Sequence, residues 1–242
     1  MRMSKHSKWA KVKNQKGAAD AKRGQIFTKL GRDISIAARE AGNDPEFNFK
    51  LRMALDRAKA ANMPKDNIDR AIARGAGAGA GGELKELVYE AFGPAGSAFI
   101  ITAYSDNVNR TAGEIKHILS KNNGNLAGQG AVMWQFKKMG VIRFQISNLK
   151  LQIDDLELML VEAEAEDVKE EDGENVVFTK PEDLAKIKKI FDDQKITLES
   201  VAIEYVSKET MKLSSEDEVK AETLMDALDD NEDVSEIFTN IA

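Results

Sequence analysis

Apolar residues recur with helical spacing through the first third of the chain. The three- and four-residue intervals predict helices over about 15–41 and 46–61, and a third helix that begins at Pro64. Phe47 and Leu51 are expected on the buried stripe of the second helix. Cations lie opposite the apolar side of the first helix, and we expect that basic side to stay in solvent.

Alternating glycine and alanine, residues 75–82, follow the third predicted helix. A glycine-rich stretch can bind phosphate when it lies between a strand and a Gly-Lys-Ser/Thr sequence, and neither is present here. We therefore interpret this stretch as a flexible linker.

Beyond the linker the pattern predicts strands as well as helices. Strands are expected over about 87–92, 97–104 and 131–136, and a capping box at 111–114 is expected to begin a helix before the last of them. The resulting β-β-α-β unit is incomplete.

Residues 141–207 have the pattern β-α-β-β-α-β, the ferredoxin-like arrangement, with Asp172-Gly173 suited to the hairpin turn. In the tail, residues 215–242, the sequence pattern predicts one helix and one strand. These two elements cannot bury their apolar surface against each other alone. We therefore expect the tail to complete the β-β-α-β unit.

The predicted fold class is α+β: an N-terminal basic three-helix domain followed by two small α/β (ferredoxin-like) domains, the third inserted into the second. The predicted boundaries are 1–75 for the helical domain, 83–137 plus 214–242 for the discontinuous domain, and 138–210 for the inserted domain.

Charge is unevenly distributed along the chain. Residues 1–75 carry 18 Lys+Arg and 8 Asp+Glu, a net charge of +10, whereas the remainder carries 17 and 33, a net charge of −16. Such asymmetry indicates a basic module that binds nucleic acid or a membrane surface. The absence of cysteine, of a membrane-length apolar run and of a signal-peptide core favours a soluble cytoplasmic protein with no membrane partner.

The densest basic segment contains an aromatic side chain. Residues 1–32 hold ten basic residues and one acid, which favours a polyanionic partner, and Trp9 could stack on a base or ribose. A solvated arm with Trp9 in a core is the alternative interpretation. The candidate nucleic-acid-binding residues are Lys5, His6, Lys8, Trp9, Lys11, Lys13, Lys16, Lys22, Arg23, Lys29, Arg32 and Arg39.

A second candidate site is a polar loop at a predicted helix start. Asp106, Asn107, Asn109 and Arg110 could hold an anion there, or could only order the helix cap.

Catalytic signatures are missing from the sequence. His6 and His117 are far apart, and the acidic run at 162–174 lacks EF-hand spacing. We expect a non-enzymatic protein with no metal, cofactor or small-molecule substrate.

Several short motifs resemble one known family. They are Ser7-Lys8-Trp9-Ala10, Lys22-Arg23-Gly24, Ile26 to Leu30, Asn62-Met63-Pro64, Ala71-Ile72 with Arg74-Gly75, Tyr89-Glu90 with Gly93-Pro94 and Gly96, Asp106-Asn107 with Asn109-Arg110-Thr111, and Gly124-Asn125-Leu126. In this order they look like the YebC/PmpR family, which includes the mitochondrial translational activator of cytochrome c oxidase. The chain departs from the family pattern at Lys5, Ala91, Ala95 and Ala127, where glycines are usual.

The resemblance implies three domains and a regulator of gene expression. Bacterial members are generally labelled DNA-binding transcriptional regulators, whereas other members act in translation at the ribosome. No helix-turn-helix recognition helix is evident, and a basic arm suits RNA or a ribosome as well as DNA. A protein–protein adaptor that acts through the acidic body is the third possibility.

Overall fold

The computed structural model describes residues 20–77, 84–145, 153–171 and 174–242. The α-helices are α1 Asp20–Ala41, α2 Phe49–Ala60, α3 Lys65–Gly75, α4 Val108–Lys121, α5 Ile153–Glu162, α6 Leu184–Asp193 and α7 Ser215–Asp229. The strands are β1 Lys85–Phe92, β2 Ala98–Ser105, β3 Asn125–Leu126, β4 Phe136–Phe144, β5 Asp167–Glu171, β6 Glu174–Thr179, β7 Leu198–Ser207 and β8 Val234–Thr239.

Helices α1, α2 and α3 form a helical unit around small and branched apolar side chains, among them Ile34, Leu51 and Ala58. The connection between α1 and α2 is fixed by Asn48. Its side-chain oxygen accepts a hydrogen bond from the Leu51 N–H at 2.9 Å. Its side-chain nitrogen donates to the carbonyl oxygens of Ala37 in α1 and of Gly42 just after α1. The predicted burial of Phe47 is wrong. Phe47 lies in the turn before Asn48 and is 89% exposed.

Gly75 belongs to the helical unit rather than to the predicted linker. A Cβ at Gly75 would lie 2.3 Å from the Ser35 carbonyl oxygen, so only glycine permits this approach of α3 to α1. The linker prediction for residues 78–82 lies outside the described residues.

The first sheet has the strand order β3-β1-β2-β8, and its pairs are antiparallel. Strand β8 of the tail pairs with β2, for example Ile101 opposite Ile237. Helices α4 and α7 contribute Ile115 and Leu224 to the same core cluster as these two strand residues. The tail therefore completes this sheet and its core, as predicted.

The second sheet has the order β5-β6-β4-β7, again with antiparallel pairs. Helices α5 and α6 pack Leu156 and Phe191 against Ile142 and Phe144 of β4. This confirms the predicted β-α-β-β-α-β connectivity, whose proposed turn at Asp172 and Gly173 lies outside the described residues.

The predicted strand at 131–136 is wrong, and a buried carboxylate supplies the reason. Glu90 accepts hydrogen bonds from the backbone N–H groups of Gly130, Val132 and Met133. Those donors are therefore unavailable to a strand ladder, and the chain forms a 3₁₀ turn over Met133–Gln135 before β4 begins in the second sheet. Burial raises the pKa of Glu90, but together the three N–H donors lower it by more. The pKa of Glu90 is therefore below its ordinary value.

The predicted capping box at 111–114 is also wrong. Helix α4 begins at Val108, and the Asn107 side chain caps it by accepting from the Arg110 N–H at 3.1 Å. Thr111 therefore lies in the first turn of α4.

The helical unit and the two sheets contact one another. Tyr205 of β7 packs edge to face on Phe238 of β8, with ring centroids 5.4 Å apart. Phe49 and Met53 of α2 join the core cluster of the second sheet. No helix within the described ranges is long and apolar enough to cross a membrane.

We propose that the helical unit, the first sheet with its tail, and the second sheet fold as the three domains with the boundaries given above. Because Leu224 of the tail is fully buried in the first core, Leu224→Ala is expected to lower the free energy of unfolding by about 2–5 kcal/mol. Hydrogen exchange should show lost amide protection in β2 and retained protection in β4.

Leu158→Ala is the matched control, since Leu158 lies in a helix but is 60% exposed. Its effect should stay within about 0.5 kcal/mol. Equal loss of protection in β2 and β4 of the Leu224 variant would contradict the division into separate domains.

Candidate nucleic-acid interface

The basic candidates fall into several structural settings. Lys5, His6, Lys8, Trp9, Lys11, Lys13 and Lys16 belong to the basic arm, residues 1–19, which lies outside the described residues. Lys22 and Arg23 are in the first turn of α1, and Arg23 is exposed. Arg39 is exposed near the end of α1 and donates to the carbonyl oxygen of Leu84.

Lys29 and Arg32 contact the tail, so the expectation that they stay in solvent is wrong. Lys29 Nζ lies 3.0 Å from Asp229 Oδ1, and the Arg32 guanidinium lies 2.9 Å from Asp233 Oδ1. The Lys29 and Arg32 side chains are only 11% and 17% exposed. This side of α1 therefore already faces carboxylates of the same chain.

Asp233 is the centre of this contact. Its Oδ2 accepts from Thr111 Oγ1 at 2.6 Å and from the Arg110 guanidinium at 2.8 Å, while Oδ1 faces Arg32. We call these four residues the Asp233 cluster. The cluster joins α1 of the helical unit, the first turn of α4 and the segment before β8, so one carboxylate connects elements far apart in sequence.

The surroundings of Asp233 favour its charged form. Its side chain is 4% exposed, and burial raises its pKa. Hydrogen bonds from Thr111 and Arg110 and the charge of Arg32 outweigh that effect, and they hold the pKa of Asp233 below its ordinary value. The interaction is therefore fully formed at neutral pH.

A second polar contact lies beside the Asp233 cluster. The Arg57 guanidinium of α2 lies 3.1 Å from Asp33 of α1 and 3.0 Å from Glu236 of β8, and Ser235 donates to Asp33 at 3.0 Å. Burial raises the pKa of Asp33, and Arg57 opposes that shift. The helical unit is thus attached to β8 through charged and polar groups.

The predicted polar site at the start of α4 is occupied by groups of the chain itself. Asn107 is the helix cap, and Asn109 is exposed. Arg110 lies 3.4 Å from Asp106 and 2.8 Å from Asp233. The first turn of α4 therefore binds an anion, the carboxylate of Asp233.

Sequence reasoning missed the acidic partners on the tail. Asp229, Asp233 and Glu236 receive the cations of α1 and α2. A signal was available, because residues 215–242 hold ten acids and one lysine, whereas α1 and α2 both carry a net positive charge. Charge complementarity could have suggested the pairing, although not its geometry.

Metal ions in proteins are commonly held by clusters of histidine, aspartate and glutamate side chains. The part of the chain that the structure describes contains no such cluster of at least three side chains. His117 lies exposed on α4.

Two family models match the chain over nearly its whole length. Residues 7–78 match the model described as "TACO1/YebC protein N-terminal domain", and residues 84–241 match "TACO1/YebC second and third domain".

Individual relatives match with high coverage. A probable transcriptional regulatory protein of Desulforamulus reducens is 45% identical over 238 residues, which is 98% of each chain. One from Caldanaerobacter subterraneus is 45% identical over 239 residues, 99% of this chain and 98% of the relative. The crystal structure of a conserved hypothetical protein from Aquifex aeolicus is 35% identical, with a TM-score of 0.82 over 94% of this chain and 93% of that one.

The Asp233 cluster generates a prediction about pH. Asp233→Asn is expected to lower the free energy of unfolding at pH 7 by about 2–3 kcal/mol, because it removes a carboxylate that accepts charged hydrogen bonds. Since the folded pKa of Asp233 is lowered, this stability is present above the unfolded pKa and is lost as pH falls through the folded value. Urea titrations of both proteins at pH 7 and about pH 3 should show the difference shrinking in acid.

Asp230→Asn serves as the control, since Asp230 is an exposed acid three residues away. It should change stability by less than about 0.5 kcal/mol at either pH. The native protein and the Asp233 variant should not differ by the same free energy of unfolding at both pH values. A constant difference would show that the carboxylate charge is not what stabilises the contact.

Proposed function

The chain belongs to the TACO1/YebC family, and we propose that it is a non-enzymatic regulator of gene expression that binds DNA through its basic arm. Relatives with 45% identity are named probable transcriptional regulatory proteins, which supports a regulatory role at the level of the family.

The observation that carries the proposal is the way in which the structure divides the cations of the N-terminal region. Lys29, Arg32 and Arg57 pair with carboxylates of α1 and the tail. A phosphate backbone would have to displace those carboxylates, whereas Arg23 is exposed at the arm end of α1. We therefore place DNA binding on the basic arm with Lys22 and Arg23, and assign Lys29 and Arg32 to holding the helical unit.

The charge of the arm fits a phosphate-binding role. Residues 1–19 include the cations Arg2, Lys5, Lys8, Lys11, Lys13 and Lys16 and no acid. Each cation that neutralises a phosphate releases condensed counterions, which makes affinity depend strongly on salt. Such contacts position a protein on DNA without reading its sequence.

A fourfold substitution in the arm tests this mechanism. If Lys8, Lys11, Lys13 and Lys16 each neutralise one phosphate, changing all four to alanine should weaken duplex binding. The slope of log affinity against log salt should become shallower by ~3.6, at ~0.9 per contact. For a single-stranded partner the expected change is ~2.8, at ~0.7 per contact.

The control removes the same charge from the body through Lys116, Lys121, Lys180 and Lys189, all of which are exposed. This variant should keep the native salt slope. If the arm variant also keeps its affinity and slope, the arm is not the binding surface.

Translation is the second candidate, because the family that the sequence motifs resemble includes a mitochondrial translational activator, and a basic arm suits ribosomal RNA as well as DNA. Co-sedimentation with ribosomes, measured against a gel shift of duplex DNA at matched salt, separates the two partners. Arm-dependent ribosome binding without a DNA shift in excess competitor would replace DNA by the ribosome as the target.

A further inference from the structure

Trp134 is exposed on a well-anchored turn far from the basic arm in sequence. The side chain lies in the 3₁₀ turn Met133–Gln135 and is 68% exposed, while Val132 and Phe136 on either side are buried. Single exposed apolar residues are common on protein surfaces, so exposure alone says little. What distinguishes Trp134 is how the turn holds it.

The turn is fixed from several directions. Trp134 Nε1 donates to the Ala131 carbonyl oxygen at 3.1 Å, which restricts the indole ring. Glu90 accepts the backbone N–H groups at the start of the turn. The Lys208 backbone N–H donates to the Gln135 carbonyl oxygen at 2.9 Å. A large aromatic surface is therefore presented to solvent in one orientation, with little conformational entropy left to lose on binding.

Lysines lie near the turn that carries Trp134. Lys208 Nζ donates to the Trp134 carbonyl oxygen at 2.7 Å, and Lys138, on the strand that follows the turn, is exposed with its Nζ 5.6 Å from the Tyr205 ring centroid. Lys137 is also exposed but pairs with Glu166. An aromatic face beside lysines is the arrangement with which proteins bind unpaired nucleotides, because the ring stacks on a base while the cations attract phosphates.

Phe47 provides a contrast within the same molecule. It is even more exposed than Trp134, at 89%, but it follows Asp44 and Glu46 in an acidic turn. Arg52 donates to the carbonyl oxygens of Pro45 and Glu46 in that turn, but the two acids outnumber this cation, so the turn attracts phosphate less than the lysines near Trp134 do.

We propose that Trp134, with Lys138 and Lys208, is a second nucleic-acid contact that stacks on an unpaired base. The inference rests on the proposed function, since the basic arm supplies most of the affinity and Trp134 adds a contact on the body. The base belongs to a single-stranded stretch of DNA or of RNA, and the two are distinguished by the probes below.

The two tryptophans of the chain make a direct test possible. In full-length protein carrying Trp9→Phe, Trp134 is the only remaining tryptophan. Titration with single-stranded oligothymidylate or oligouridylate of roughly 20 nucleotides, longer than a typical single-strand site, should quench its emission as the strand binds. Stronger quenching at equal saturation, or tighter binding, with one of the two identifies the preferred strand.

Substitutions at Trp134 give the second readout. Trp134→Ala should weaken single-strand binding about tenfold or more and leave the salt slope unchanged, because a stacking contact is lost and no phosphate contact is. Trp134→Phe should retain most of the affinity. Phe47→Ala, the matched control, should bind as the native protein does.

The possible failures are distinguishable. Unchanged Trp134 emission, native affinity of Trp134→Ala, or an equal loss from Phe47→Ala would overturn the Trp134 contact, and a protein partner at this surface would give the first two results. If the arm-lysine variant still loses binding in that case, the proposed function stands without Trp134. If neither single strands nor duplex bind the native chain, both proposals fail together.

Discussion

The arrangement of the chain depends on one buried carboxylate. Asp233 is almost completely removed from solvent, and a charge in that position is tolerated only when it is paired and hydrogen-bonded. Arg32 of the helical unit, together with Arg110 and Thr111 of α4, satisfies it. Because these partners lie on separate elements, the cluster fixes where the helical unit sits on the first sheet.

This constraint gives the basic residues different roles. Cations of α1 and α2 that face the tail are paired with its carboxylates, so polar contacts attach the helical unit to the first sheet, while Phe49 and Met53 pack against the second. The cations of the arm are therefore the ones that we assign to nucleic acid, and Trp134 adds an aromatic contact on the body.

Much of the fold follows from local pattern. The strands around Ile101 and the tail helix around Leu224 were predictable because their apolar residues repeat with the period of the element. The proposed strand at 131–136 failed because Glu90, some forty residues earlier, binds the N–H groups that a ladder would need. Periodicity likewise placed Lys29 on the polar side of α1 but could not show that Asp229, two hundred residues away, lies opposite. The basic character of the candidate site was thus predictable from the sequence. Which of its cations pair with carboxylates of the same chain could be seen only in the tertiary structure.

The most direct test of this division of roles is lysine acetylation followed by mass spectrometry, with and without bound DNA. Lys29 should react slowly in both states, because the tail already covers it. The arm lysines should become protected only when DNA is bound; they are Lys8, Lys11, Lys13 and Lys16. Exposed Lys116 should react equally in both states and sets the reference rate. Rapid acetylation of Lys29 in the free protein, followed by protection on DNA binding, would show that Lys29 binds DNA and does not hold the helical unit on the tail.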